Sequence, residues 1–252
     1  MKKVISIIII CFFISTSVFT EEKTYGDLPK QEWSFKGITG TFDRASLQRG
    51  YKVYREVCSG CHSMNLLYYR DLADIGFTDE EIKAIASEYT VIDGPNEEGE
   101  MYERSAKPSD KFVDPYLNDQ EARISNNGAY PPDLSVITKA KKGGSDYIYN
   151  LLVGYEDPPS GVELGEGMYY NKWMPGNQIA MPIPLYDGSV DYDDGTDNNY
   201  KQLSKDVTAF LVWAAEPELE ERKSMGIKVI LFFIVFGFLA YLSKKRLWKD
   251  IS

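Results

Sequence analysis

Residues 58–62 read Cys-Ser-Gly-Cys-His, and this histidine is the only one in 252 residues. The one other cysteine, Cys11, lies in an apolar run near the N-terminus. Few features narrow a fold more. Two thiols two residues apart reach one small group, and an imidazole follows without a spacer. As a disulfide the pair would close a small, redox-active ring rather than staple a domain. A thioredoxin-like site needs a βαβ context, and no such pattern surrounds the motif. A zinc site needs a fourth ligand, but there is no second cysteine pair and no second histidine. In an exported chain the motif reads as the attachment site of one covalently held c-type haem. Cys58 and Cys61 would add across two vinyl groups, and His62 would ligate the iron.

The histidine count decides more than the motif. Ligation by two histidines of this chain is excluded, as is a Ser-His-Asp triad, because the sole imidazole is committed. The sixth iron position is left to a methionine, to a weaker donor such as lysine, or to no side chain. Met64 is too close to His62 to reach the opposite face, Met101 sits in an acidic loop, and Met225 lies at the edge of an apolar run. Met168, Met174 and Met181 remain. Met181 stands in Ile-Ala-Met-Pro-Ile-Pro-Leu, where the prolines stiffen an extended segment, so it is the expected ligand.

Both ends of the chain are apolar. Met1-Lys2-Lys3 precedes an apolar stretch from Val4 to Phe19, the pattern of a secretory signal peptide; a retained N-terminal anchor is the alternative. Near the C-terminus the charge-free stretch Val229–Ser243 holds 15 residues, against about 20 for a spanning helix. Lys228 can snorkel, Tyr241 and Trp248 suit a membrane interface, and Lys244, Lys245, Arg246 and Lys249 come next. The expected organisation is a signal peptide over 1–20, an exported domain over 21–225, a transmembrane anchor over 226–243 and a cytoplasmic tail over 244–252. This places the protein in a bacterial inner membrane with its main domain in the periplasm.

The net charge of −10 argues against nucleic-acid binding. From Glu21 to Met225 there are 37 acidic and 21 basic side chains, so the exported part carries −16. Such a domain attracts basic partners. Helical periodicity follows Asp43, through Leu47, Tyr51, Tyr54 and Cys58. Thr78 and Glu81 form a capping box for a second helix, while Ser145 and Ser204 are expected caps for two more. The stretches 93–110, 126–135, 154–167 and 187–199 read as loops, and hardly any segment alternates like a strand. Few helices with long loops suggest a mainly α domain built on a prosthetic group.

Beyond the motif, the segments "VCSGCHSMNLLYYRDL", "NNGAYPPDLS", "GGSDYIYNLLVGYEDPPSGV", "NQIAMPIPL" and "LSKDVTAFLVWAAEPELEERKSMGIKVILFF" occur in this order. In this the chain resembles the bacterial cytochrome c1 family, the haem subunits of the bc1 complex. The resemblance implies a cytochrome c-like haem domain with one C-terminal transmembrane helix, and His62 and Met181 as axial ligands. It implies that Asn126, Pro132 and Ile137 line the haem pocket and that Lys141 and Tyr147 lie near the propionates. Relatives often carry arginine where this chain has Lys141, and some carry tyrosine where it has Val136. The implied role is electron transport in a respiratory chain. Cytochrome b would be a neighbour, the Rieske iron–sulfur protein the donor and a basic cytochrome c the acceptor, with no bond chemistry of the chain's own. A stand-alone anchored electron carrier and a haem enzyme with an open iron site are the rival readings.

Overall fold

The computed structural model describes residues 28–249. The expected signal peptide lies outside the described residues, as do the first residues of the exported part. The described chain is mainly helical. It runs α1 (Arg44–Val53), α2 (Asp79–Ser87), β1 (Thr90–Asp93), β2 (Tyr102–Ser105), α3 (Asp119–Ser125), α4 (Ile137–Ala140), α5 (Gly144–Val153), β3 (Tyr169–Tyr170), β4 (Gln178–Ile179), α6 (Tyr200–Ala215) and α7 (Leu219–Leu247). The strands form two antiparallel ribbons, β1 with β2 and β3 with β4.

The core is organised around α6. Its Leu203, Val207, Phe210 and Trp213 are buried, and α1, α4 and α5 all pack on it. Asp43 caps α1 as expected, its Oδ1 accepting from the amides of Ala45 at 3.0 Å and Ser46 at 3.4 Å. From α1, Tyr51 and Tyr54 place their rings 5.7 and 5.8 Å from Phe210. The closest approach is at Gly50, where an added Cβ would lie 2.1 Å from the Asp206 carbonyl oxygen. Beside this crossing the Asp206 carboxylate is fully buried. It accepts from Ser46 Oγ at 2.6 Å, Arg49 Nε at 2.8 Å and Gln202 Nε2 at 3.0 Å. A buried charge is tolerated only when paired and hydrogen-bonded in this way.

The Thr78–Glu81 capping box forms at the start of α2. Two expected caps are corrected. Helix α5 starts after Gly143, at φ +92, and Ser145 is already inside it. Helix α6 is capped by Asn199, whose Oδ1 accepts from the amides of Lys201 and Gln202 at 3.1 and 3.0 Å. Ser204 is buried one turn in and donates to the Tyr200 carbonyl at 2.7 Å. The stretch 93–110 is not wholly irregular, since it includes β2 and the turn leading to it. Arg104 ties that ribbon together by bonding Asp93 and, through Nη2 at 2.9 Å, Asp110.

Helix α7 is continuous over 29 residues, long and apolar enough to cross a membrane. At 1.5 Å per residue it measures about 43 Å, against a hydrocarbon core of about 30 Å. Its apolar side chains from Ile227 onward are exposed around the whole circumference, which is a lipid-facing pattern rather than that of a core helix.

The contact at Gly50 makes a prediction. Gly50→Ala forces α1 away from α6 and is expected to cost about 1–3 kcal/mol, the usual range for overpacking. Gly226→Ala meets nothing within 4 Å and is expected to leave stability unchanged or slightly raised. Denaturant unfolding of the two purified holoproteins checks this; equal stabilities would contradict the packing argument.

Candidate haem site

The Cys58–His62 turn hangs from the far end of α1. Beyond Val53 the helix widens into a π-turn, Tyr54–Cys58. The Cys58 carbonyl then accepts from the amides of Cys61 at 3.1 Å and His62 at 2.9 Å, so both thiols and the imidazole project from one compact turn. Both thiols are free, Cys58 half-buried and Cys61 exposed. Burial, and then the neighbouring Cys61, push the Cys58 thiol up to about 12.

His62 Nδ1 lies 2.8 Å from the Pro132 carbonyl oxygen. A carbonyl only accepts, so Nδ1 carries the proton and the lone pair resides on Nε2. Burial lowers the imidazole's proton affinity further. The result is a neutral ring, oriented by its other nitrogen, as a metal-binding histidine requires. The loop supplying that carbonyl is laced to the motif. Asp133 accepts from Ser63 Oγ at 2.9 Å and the Asn65 amide at 2.8 Å, and the Leu134 amide donates to the Ser63 carbonyl at 2.9 Å. Burial pushes the Asp133 carboxyl up, but hydrogen bonds from Asn65, Ser135 and Ser63 more than offset this and hold it ionised.

The other residues named from the sequence fall into separate groups. Asn126 caps α3, donating to the Ala122 carbonyl at 2.7 Å and to Tyr116 at 3.0 Å; the Tyr116 hydroxyl lies against Cys61. Ile137 is buried at the start of α4. Lys141 is exposed just past its end. Tyr147 is buried in α5, and its hydroxyl donates to Met174 Sδ at 3.7 Å. That contact occupies one of the three candidate thioethers. Met181 is half-buried, and its carbonyl accepts from Tyr155 Oη at 3.1 Å. Asn171, fully buried, fixes the preceding ribbon by donating to the Leu151 carbonyl at 2.7 Å and accepting from the Trp173 amide at 3.0 Å. Among the described residues no hydrogen bond joins Met181 or Lys141 to the Cys58–His62 turn.

Sequence reasoning missed Asp133, Tyr155 and Asn171. Tyr155 and Asn171 work through main-chain partners, and Asp133 largely so beside Ser63 Oγ; main-chain partners carry no residue-type signal. A cavity of about 450 Å³ opens elsewhere, between α1 and the loop 187–199, lined by Arg49, Lys52, Tyr192 and Asp193 among others. It holds none of the motif residues and is not this site. The donor set at the motif does fit a covalent haem: two free thiols on one turn and a neutral imidazole with Nε2 unprotonated. A thioether on a fixed main chain, Met181, is also present.

The description "Cytochrome C1 family" fits residues 33–251. The chain is 51% identical over 217 residues to "Cytochrome c1-1, heme protein, mitochondrial" of Solanum tuberosum, covering 86% of this chain and 68% of that one. It is 42% identical over 241 residues to "Cytochrome c1" of Rhodospirillum rubrum, covering 89% of each. It is 46% identical over 244 residues to "Cytochrome b/c1" of Bradyrhizobium diazoefficiens, covering 88% of this chain and 36% of that longer one. A match over nearly the whole described chain, together with the thiol and imidazole geometry of its one Cys-x-x-Cys-His, means that the chain belongs to the cytochrome c1 family, the haem subunits of the bc1 complex, whose members bind one covalently attached haem c.

Proposed function

We propose that the chain takes electrons from the Rieske iron–sulfur protein and delivers them to a basic cytochrome c. Its haem would be held by thioethers at Cys58 and Cys61 and ligated by His62 and Met181. The observation that carries this is the Pro132–His62 hydrogen bond, which leaves Nε2 as the ring's only lone pair. Haem supplies reversible one-electron chemistry at iron, and a methionine–histidine pair sets a raised potential. The chain's own residues do the rest. Pro132 fixes the imidazole tautomer, Tyr155 holds the Met181 main chain, and Asn126, Ile137 and Tyr147 shape the walls. Lys141, exposed, would supply positive charge near the propionates.

The longer relative named "Cytochrome b/c1" supports cytochrome b as the neighbour within one assembly, against the stand-alone carrier. The proposed layout is an exported domain over 21–225, an anchor over 226–243 and a tail over 244–252, after a signal peptide over 1–20. The domain would face the periplasm and the tail the cytoplasm. An open iron site would require Met181 to stay off the metal.

Two predictions test the ligand set. Haem should stay with the wild-type chain in acidified organic solvent, and Cys58→Ser or Cys61→Ser should each lose one thioether and lower holoprotein yield; extraction of haem from the wild type would end the covalent reading. Met181→Leu should lower the redox potential and let carbon monoxide bind the reduced iron, while Met168→Leu and Met174→Leu should do neither. An unchanged oxidised spectrum in Met181→Leu would remove it from the iron.

Not every acidic loop is equally open to a basic partner, and in the loop 187–199 part of the acid is already paired. Asp194 pairs with Arg49 and Asp193 with Lys52, each at 2.7 Å. The Thr196 amide, then Arg49, hold the Asp194 carboxyl down at about 2. Both aspartates therefore sit beside a cation of the chain at the surface. The loop 154–168 is better placed: the Gly165 amide donates to Gln178 Oε1 at 2.9 Å, on the ribbon that leads into Met181. Its Asp157, Glu163 and Glu166 are exposed. Electron transfer to a basic cytochrome c should slow with rising salt, by about tenfold or more, and less steeply in Asp157→Asn/Glu163→Gln/Glu166→Gln. Stopped-flow rates across ionic strength check this. An unchanged slope would move docking elsewhere.

A further inference from the structure

We propose that the turn formed by Lys36, Gly37, Ile38 and Thr39 is a second point of contact with the bilayer, a foot beside α7 that places Ile38 in the lipid interface. The inference rests on α7 being the membrane anchor. The turn is built tightly. Gly37 adopts φ +81, and a Cβ at Gly40 would lie 2.0 Å from the Lys36 carbonyl oxygen. Only glycine closes a loop so narrow. The tip residues are all exposed, Ile38 at 77%.

The base of the turn is rigid. The Trp33 and Phe35 rings stack at 5.3 Å, and Phe35 lies 5.3 Å from Phe42. Asp146 on α5 accepts from Trp33 Nε1 at 2.6 Å and from Lys36 Nζ at 2.7 Å. The apolar tip is therefore displayed by a fixed frame. A single exposed isoleucine is ordinary on a water-facing surface; the position of this one is not.

The contacts with α7 give the direction. The Phe42 amide donates to Glu220 Oε1 at 2.6 Å, and Arg44 Nη2 to Glu220 Oε2 at 2.7 Å. Lys223 Nζ donates to the carbonyls of Phe35 at 2.5 Å and Gly40 at 2.8 Å. Going back from residue 42 to residue 40, the chain thus steps from Glu220 to Lys223, about 4.5 Å further along the helix. The tip, at 36–39, is closed off between the two carbonyls that Lys223 holds. Ile227 comes one turn after Lys223, about 6 Å, and there the exposed apolar surface of α7 begins, with Val229, Ile230 and Leu231 after it. The base of the foot is thus held on α7 one turn before its exposed apolar surface begins. The interface between headgroups and acyl chains is the environment that accepts both an apolar side chain and the open main-chain groups of a turn. Exposed Lys228, next to Ile227, suits lipid phosphates. One helix alone leaves the domain free to swivel; a helix and a foot fix its tilt, and with it the height of the haem crevice above the membrane.

The test uses the full-length holoprotein in phospholipid nanodiscs. The haem thioethers occupy Cys58 and Cys61, and Cys11→Ser removes the remaining thiol. Spin labels are placed at Ile38→Cys, at Phe236→Cys within α7 and at Ile124→Cys, which is 82% exposed on α3. Collision rates with oxygen, enriched in lipid, and with a water-soluble nickel chelate are compared. The oxygen-to-nickel ratio at position 38 should exceed that at 124 several-fold and approach that at 236. A ratio at 38 equal to that at 124 would put the turn in water and overturn the foot. Low collision with both reagents would mean protein covers Ile38, which replaces lipid with a protein neighbour. A label at 236 that behaves like the one at 124 would remove the anchor, and the foot with it.

Discussion

The approach of α1 to α6 at Gly50 is the constraint on which the molecule depends. An added Cβ there would meet the Asp206 carbonyl oxygen at 2.1 Å, so the two main chains touch with nothing between them. Ser46 and Arg49, one turn and one residue before Gly50, reach the buried Asp206 carboxylate. A buried ion pair is a weak source of net stability. It does penalise other registers severely, since a residue's rotation of α1 turns its side chains by about 100° and strands a charge without its partner. With the helix held in rotation, Tyr51 and Tyr54 meet Phe210 and the π-turn delivers Cys58 at a defined angle. The haem-attaching turn inherits its position from a contact two helical turns away.

Past the π-turn the problem becomes one of tautomer rather than of packing. A half-buried imidazole is useful as a ligand only if neutral and only if the right nitrogen is bare. The Pro132 carbonyl meets both conditions with one 2.8 Å hydrogen bond. Proline donates no amide hydrogen bond, so the residue serves through its acceptor alone. Asp133 then does for the loop what Pro132 does for the ring. Its carboxylate gathers Ser63, Asn65 and Ser135, so loop and motif move as one body. An irregular stretch is made stiff by a handful of side chain to main chain bonds.

Much of this was legible in the sequence. Cys58, Cys61 and His62 are adjacent, so their joint presentation needs no tertiary knowledge. The caps at Asp43 and Thr78 stand directly before a clear apolar period. Where reading failed, the reasons are physical. Ser204 fits a cap by residue type, but Leu203 already belongs to the buried face, and that face begins one turn earlier, after Asn199. Ser145 fails because Gly143 begins the helix by its backbone conformation alone. The β1–β2 ribbon was hidden because four-residue strands hardly alternate; its register is set by Arg104 bridging Asp93 and Asp110. The role of Pro132 came only from resemblance, as a wall, because the acting atom is a main-chain oxygen. Tyr155 escaped notice because the partner of its hydroxyl is a main-chain oxygen.

Net charge is the property the sequence states most plainly and locates least well. Of the acidic side chains between residues 28 and 225, many are answered within the chain: Asp206 and Asp194 by Arg49, Asp193 by Lys52, Asp146 by Lys36, Glu220 by Arg44, and Glu216 by Lys139 and Arg222. Most of these pairs collect along α1 and at the joint between α6 and α7, while Lys36–Asp146 ties the 36–39 turn to α5. Elsewhere Arg104 answers Asp93 and Asp110, and Lys172 faces Glu156, but other acids among the described residues have no ion pair. Glu97, Glu98 and Glu100 on the β1–β2 turn, and Asp157, Glu163 and Glu166 on the loop beside the Met181 ribbon, are exposed. The field is therefore uneven although the composition looks uniformly acidic. With a screening length of about 8 Å at physiological salt, charges on a remote loop steer only the distant encounter. A partner arriving close to one loop feels chiefly the charges of that loop. The division of labour is set by where the arginines and lysines sit: paired acid builds the scaffold, and unpaired acid is what a basic partner can recognise.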